Sequence, residues 1–363
     1  MSDFLDMLIE STGNELATIA KDGVIAGDVD SYTDTGAYIL NAMLSGSIYG
    51  GMPSNKITMY AGKQHTGKSY FCFTTTKGFL QANPKARVVI FESEGALSKK
   101  KLEEFGIDTT RVGILPVATM EEFKIQSLKM INAYLGVEEE KRVPLLLILD
   151  SFGMLSTSKE MEDTAEGSST RDMTRTSGGK GVFRVLTLKC SLAGIPFIVT
   201  NHVYADMSGN KYADDVISGG SGPQYAASNI IMLSKRKEKD KTTNEVIGDV
   251  IHCKLKKGRM TKPEKKVDVL LDYTTGLDRY YGLLPLALKY GIFTKDSTRI
   301  IVHDGSKTFE STIAKEPEKF YTKEVLDLLD KAAAKEFLFG QPEIEGALSS
   351  DDEKPEPKKK GKK

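Results

Sequence analysis

Between Lys56 and about Asp272 the chain alternates short, unbroken apolar runs with longer stretches of helical period. The short runs are Ile57–Tyr60, Arg87–Glu92, Leu145–Asp150, Pro196–Asn201 and Ile230–Leu233. Continuous apolarity fits strands buried on both faces, and such strands belong to a mostly parallel sheet flanked by helices. The pattern predicts an α/β fold. After the fifth run, KRKEKDKTTNE reads as a hairpin tip joining two amphipathic strands. From about Tyr280 to Gly340 the pattern turns helical, in GLLPLALKYGI and TKEVLDLLDKAAAKEF, and predicts a small α-rich C-terminal subdomain.

Other stretches have no period. Ser156–Gly181 is polar and rich in Ser, Thr and Gly, and the fourth apolar run ends in Asn201-His202 before another long polar segment. Loops of that length in a compact domain are usually either functional or disordered. At the start, Phe4–Ile9 predicts a short amphipathic helix, followed by Gly- and Asp-rich sequence. It fits a partner-docking or oligomerisation arm and a frayed terminus equally. Residues 341–363 mix acids with PEPKKKGKK, have little to bury and are predicted to be disordered. The resulting division is an arm over 1–45, a core over 46–279, a subdomain over 280–340 and a tail over 341–363.

Composition narrows the classes. Lys plus Arg and Asp plus Glu both total 50, so any nucleic-acid surface must be a local patch. Cys72, Cys190 and Cys253 match no zinc spacing and read as core thiols in a reducing cytoplasm. No apolar run reaches membrane-spanning length, and MSDFLDMLIE lacks the basic start of a signal peptide. A soluble cytoplasmic protein without a membrane partner is expected.

The strongest chemical signal is Gly62-Lys63-Gln64-His65-Thr66-Gly67-Lys68-Ser69, a complete P-loop. Its glycines let backbone N–H groups converge on phosphate oxygens, while Lys68 reaches the β/γ-phosphates and Ser69 can ligand Mg²⁺. A strand-like ITMYA precedes it, and Tyr70 continues into a helix whose N-terminus favours anions. A bare glycine turn would not need those flanks. The run VPLLLILD ends in Asp150, where a Walker-B carboxylate would hold Mg²⁺. Hydrolysis also needs a group to orient water, and RVVIFESEG offers Glu92 and Glu94. Alternation puts both on one face, so period does not choose between them, and acids there also serve to cap the following helix, expected over Ala96–Phe105.

In order along the chain, TGAYILNAMLSGSIYGGMPSNKITMYAGKQHTGKS, FESEGAL, LLLILDSFGML, IPFIVTNH, SGGSGPQYAAS, KKGR and YTTGLDRYYGLLPLALKYG resemble the RecA family of strand-exchange recombinases. The likeness runs from about Asp34 to Gly291 and is greatest to the family's phage branch, the UvsX proteins. It implies a RecA-like P-loop NTPase core, with ATP and Mg²⁺ as cofactors. It implies Glu94 as the water-activating glutamate and Asp150 as the Walker-B aspartate. His202 falls where bacterial RecA has a glutamine that senses the γ-phosphate; from the residues alone an ordinary strand-end histidine, bonded to a neighbour's backbone, is the favoured reading. Lys257 and Arg259 would supply cations to a neighbour's ATP, where the plain reading is a solvated basic strand end. Ser156–Gly181 and Val203–Gly220 would be the two DNA loops. Arg171, Arg175, Lys180, Arg184 and Lys211 are the cations expected there, Met173 an apolar wedge between bases, and Gly219 and Gly220 places where backbone approaches phosphate. Gly178, Gly179 and Gly181 are read the same way, or as simple flexibility. Where bacterial RecA stacks a tyrosine on adenine, Lys101 stands here, so aromatic stacking on the base is not expected at that position.

The implied function is an ATP-dependent recombinase that forms filaments on single-stranded DNA and pairs it with homologous duplex, in recombination, repair and recombination-dependent replication. A single-strand-binding protein and a loading mediator are implied partners. The alternative on the same fold is a ring-forming helicase that uses ATP to translocate. A P-loop kinase would need an arginine-bearing lid, and the second loop is arginine-poor. A DNA scaffold with vestigial ATPase would not need the full set of catalytic parts.

Overall fold

A computed structural model describes residues 4–14, 17–167, 175–205, 215–240 and 243–340. The arm begins with α1 (Phe4–Ser11), and β1 (Tyr32–Thr33) pairs antiparallel with β2 (Met52–Pro53) around α2 (Tyr38–Ser45). Next come β3 (Ile57–Gly62), α3 (Lys68–Ala82), β4 (Arg87–Glu92), α4 (Lys99–Glu104), β5 (Val112–Pro116) and α5 (Met120–Leu135). They are followed by β6 (Leu145–Asp150), α6 (Ser158–Ala165), α7 (Arg175–Leu192) and β7 (Phe197–Tyr204). Short β8 (Val216–Ile217) and α8 (Ser221–Ala226) lead into a long hairpin of β9 (Asn229–Lys239) and β10 (Val246–Gly258), then β11 (Lys266–Asp272) and β12 (Gly276–Leu277). The last part holds α9 (Leu283–Lys289), a small sheet of β13 (Thr294–Asp296), β14 (Arg299–Ile301) and β15 (Lys307–Thr308), then α10 (Glu310–Lys315), α11 (Pro317–Phe320) and α12 (Lys323–Phe337).

The main sheet runs β12-β11-β10-β9-β3-β7-β6-β4-β5, with β8 paired to β7. From β9 to β5 every neighbouring pair is parallel, as the unbroken apolar runs require. Leu146 and Ile148 face a core shared with Phe71, Phe79 and Leu329, while Leu147 and Leu149 face Phe123, Phe183 and Leu186. The period-2 pleat thus divides one strand between two cores.

Several expectations change. β5 was not foreseen, because Gly113 and Pro116 read as turn residues; at the sheet edge a proline is tolerated. KRKEK lies within β9, and the hairpin tip shrinks to Asp240–Glu245, where the Asp240 amide donates to the Glu245 carbonyl. The helix expected over Ala96–Phe105 spans Lys99–Glu104, capped by Ser98. The described residues of Ser156–Gly181 are largely helical: α6 takes up Ser158–Ala165, with Glu160, Glu162 and Asp163, and α7 runs from Arg175. Gly178, Gly179 and Gly181 therefore sit on a helix, where tertiary packing overrides their poor propensity. The C-terminal part carries a three-stranded sheet besides its helices. Residues 341–363 lie outside the described residues.

The expected lead-in over 1–45 is in part core. Tyr38 to Leu44 are all buried, and Asn41 fixes the entry to α2. Its Oδ1 accepts from the Thr35 amide and hydroxyl, and its Nδ2 donates to Asp34 and the Ile48 carbonyl. Arg279 pairs with Asp34 at 2.7 Å and lies over the Tyr38 ring. On α12, Asp330 accepts from the Ser47 hydroxyl and the Ile48 amide, so the C-terminal helix is fastened to the end of α2. Among the described residues no helix is long and apolar enough to cross a membrane.

Leu329 is fully buried where α12 meets the main core. Leu329→Ala is expected to cost about 2–5 kcal/mol in urea unfolding. Leu188→Ala, at a solvent-exposed position of α7, should change stability by no more than about 0.5 kcal/mol.

Candidate nucleotide site

Parallel register brings four strand ends together: Gly62 stands opposite His202, and Glu92 opposite Asp150. This is the carboxyl edge of the sheet, where open α/β folds bind ligands. The loop from Gly62 to Gly67 closes here. Gly67 caps α3 with φ of 89°, a left-handed conformation that favours glycine, and a Cβ would also meet Ile251 Cδ1 at 2.8 Å. Among the first amides of α3, those of Lys68, Ser69 and Tyr70 are free of partners within the helix and favour an anion. Lys68 is buried, and its Nζ donates to the Gly62 and Lys63 carbonyls. Burial pulls its pKa down, against the opposing pull of Glu94 and Asp150. Thr66 donates to the Lys63 carbonyl, bracing the loop. Gln64 and His65 are exposed on it.

Asp150 ends β6, and its Oδ1 accepts from Thr200 at 2.5 Å. Burial raises its pKa, while the hydroxyls of Thr200 and Ser69 favour its charged form. The convergence of Ser69 and Asp150 gives hard oxygen donors of the kind that hold Mg²⁺ beside phosphate. The Asp150–Ser151 peptide is cis. Ser93 clips the neighbouring strand end: its hydroxyl donates to the Ser151 carbonyl and accepts from the Ser151 amide.

The two glutamates separate. The expected shared face does not hold, because β4 stops at Glu92 and the chain turns. Glu92 Oε1 accepts from the amides of Glu94 and Ala96, which makes it a turn cap. Glu94, on the exposed turn, aims its carboxylate at the end of β7, with Oε1 3.1 Å from His202 Nε2. That hydrogen bond, with help from Ser151 and Lys68, holds its pKa down at about 2. A carboxylate only accepts, so His202 Nε2 carries the hydrogen. The histidine is tied onward: its carbonyl accepts from the Ser218 amide, and Asn201 Nδ2 donates to the Ser218 carbonyl.

Matching the sequence against known proteins gives a consistent answer. The chain is 30% identical over 295 residues to the "Recombination and repair protein" of Enterobacteria phage T4, covering 81% of this chain and 73% of that protein. It is 26% identical over 251 residues to "Protein RecA" of Rhizobium leguminosarum bv. viciae, covering 68% and 66%. The chain belongs to the RecA family. "Protein RecA" of Sinorhizobium medicae is 25% identical over 282 residues, 76% of this chain and 71% of that one. No family model matches the chain.

The remaining candidates scatter around this RecA-family core. The Tyr70 ring packs against Phe105 at 4.7 Å and lines a cleft of about 730 Å³ beside α3. Lys101 lies over the Phe73 ring. Lys257 and Arg259 sit at the opposite edge of the sheet. Gly258 pairs with Asn229, which is level with Thr58, whereas the P-loop leaves from Gly62. Four residues of strand, roughly 13 Å, separate the two levels, and Lys257 Nζ donates to the Gln224 and Tyr225 carbonyls. Burial and Arg259 lower the Lys257 pKa to about 8. Lys180 and Arg184 share an exposed face of α7. Gly219 and Gly220 have φ of 77° and 76° and lead into α8. Arg171, Met173, Lys211 and the side chain of Arg175 lie outside the described residues.

Sequence reading missed Thr200, Ser93 and Asp215. Thr200 was legible as the residue two before His202, hence on its face. Asp215 pairs with Lys63 of the P-loop at 3.3 Å, which no local pattern signals.

Glu94 ionises more readily in the fold than at its usual value of 4.5. A depressed carboxylate stabilises the fold fully above its unfolded value, and that contribution is lost as pH falls toward about 2. Carboxyl-carbon NMR should show Glu94 titrating near 2, and His202→Ala should move its midpoint back toward the ordinary range. An unmoved midpoint would mean the contact does not set it.

Proposed function

We propose that this RecA-family chain is a DNA-dependent ATPase that assembles on single-stranded DNA and exchanges it with homologous duplex in recombination, repair and recombination-dependent replication. The His202–Glu94 hydrogen bond across the mouth of the P-loop carries the reading. ATP phosphates would lie on the loop amides with Lys68, and Ser69 with Asp150 would hold Mg²⁺, which supplies charge neutralisation at the phosphates. With a pKa near 2, Glu94 is too weak a base to take a proton from water efficiently. His202 is placed to give up Glu94 and donate to a γ-phosphate oxygen instead. Glu94 then regains basicity and accepts the proton of the attacking water. The same exchange pulls on Ser218, and so on the end of the second DNA loop. No relative named above carries a helicase name, and no feature of the site favours translocation.

Lys257 and Arg259 stand too far from their own P-loop to serve it. They would face the P-loop of a second copy stacked head to tail, and cations in trans would make hydrolysis depend on assembly. A single-strand-binding protein and a loading mediator are the further partners this reading carries.

ATP hydrolysis with and without single-stranded DNA tests the core of it. Strong stimulation is expected, lost in His202→Ala while nucleotide binding persists. Glu94→Gln should bind ATP yet turn over about 10²–10⁴-fold more slowly. Hydrolysis indifferent to DNA would sink the recombinase reading. For assembly, Glu94→Gln chains mixed with Lys257→Ala chains should recover activity absent from either alone, because some contacts then join an intact glutamate to an intact lysine. A mixture no better than its parts would remove Lys257 from the site.

A further inference from the structure

Phe152 is two residues past Asp150, fully buried, and has no part in the chemistry above. Its turn, Phe152–Met154, leaves the carboxyl end of β6 and lies close to Gly179 of α7 and to Gly219. A Cβ on Gly219, near the end of the second loop, would stand 2.4 Å from Phe152 Cε1. A Cβ on Gly179, in the first turns of α7 just past the first candidate loop, would stand 3.0 Å from Phe152 Cζ. The ring also meets Phe183 of α7 edge-on, with centroids 5.1 Å apart. The next residue, Gly153, closes the circuit: a Cβ there would lie 2.9 Å from Asn201 Oδ1 and 3.1 Å from His202 Cδ2.

One rigid ring therefore lies against the main chain of α7 near its start, where the first candidate loop runs into the helix, and of the second loop at Gly219, and is two residues removed from the magnesium-side carboxylate. We infer that Phe152 is a positioning residue that transmits the state of the nucleotide site to the two DNA loops together. The inference rests on the proposed coupling between ATP and DNA. Its physical basis is packing. A flexible side chain absorbs a displacement by changing rotamer, whereas glycine against a buried ring offers nothing soft, so movement of the Asp150 end is passed to the main chain at Gly179 and Gly219. His202 reaches the second loop alone, through Ser218; Phe152 reaches both.

Phe152→Leu keeps an apolar side chain but loses the flat edge that spans both glycines. The measurement is a pair of affinities: an oligo-dT strand with and without a non-hydrolysable ATP analogue, and the analogue with and without oligo-dT. Binding coupling is reciprocal, so in the natural chain the two ratios should agree. In Phe152→Leu both ratios should fall about tenfold toward unity, with DNA-free hydrolysis and analogue affinity alone unchanged. A purely structural role would lower the melting temperature and leave the ratios intact, and that result overturns the inference. Absence of coupling in the natural chain would remove the proposed function along with it, and so is distinguishable. Should Phe152→Leu not fold, Gly179→Ala serves, since alanine favours α7 while its methyl presses on the ring. A changed ratio there supports the inference, and an unchanged one overturns it.

Discussion

Parallel hydrogen bonding in a fixed register is the constraint on which the site depends. Gly62 beside His202 and Glu92 beside Asp150 are pairings of backbone, made before any side chain chooses a partner. A slip of one residue between β3 and β7 would turn His202 to the far face and put Val203 at the P-loop. The buried cores on both sides of the sheet prevent that slip, because Ile198 and Val199 belong to different clusters and would exchange places. Core packing and chemistry are thus two readings of one register.

Around that frame the polar groups are assigned by geometry that alternation could not resolve. Glu92 and Glu94 are the same residue type two positions apart, yet one is spent on turn amides and the other faces the histidine. The strand end between them makes the difference. Five apolar strands, the loop between β3 and α3 and the carboxylate that ends β6 were legible because unbroken apolarity and loop chemistry are local properties. β5 was not, because edge strands tolerate glycine and proline. The helical α6 and α7 were not, because glycine in α7 answers to Phe152 and α8, neighbours far along the chain. The Lys63–Asp215 pair and the burial of α2 are likewise facts of assembly in three dimensions rather than of period.

The polar network is economical in a particular way. Thr200 and Ser93 each join two strand ends, Thr200 from β7 to β6 and Ser93 from the residue after β4 to the residue after β6. Hydroxyls suit this work because they donate and accept at once and carry no charge to be desolvated. They leave Asp150 and Glu94 as the fixed negative charges around Lys68, and burial of the lysine lets those charges act at short range through low dielectric.

The placement of Lys257 and Arg259 at the edge away from the P-loop also has an arithmetic consequence. In a head-to-tail stack of n chains whose sites are completed in this way, only n − 1 sites are complete. One terminal chain offers phosphates no second pair of cations, and the other presents cations with nothing to meet. The two ends of such a polymer are chemically different, so growth and loss need not proceed at equal rates at both. Direction along the stack would then be inherited from the antiparallel run of a single hairpin strand.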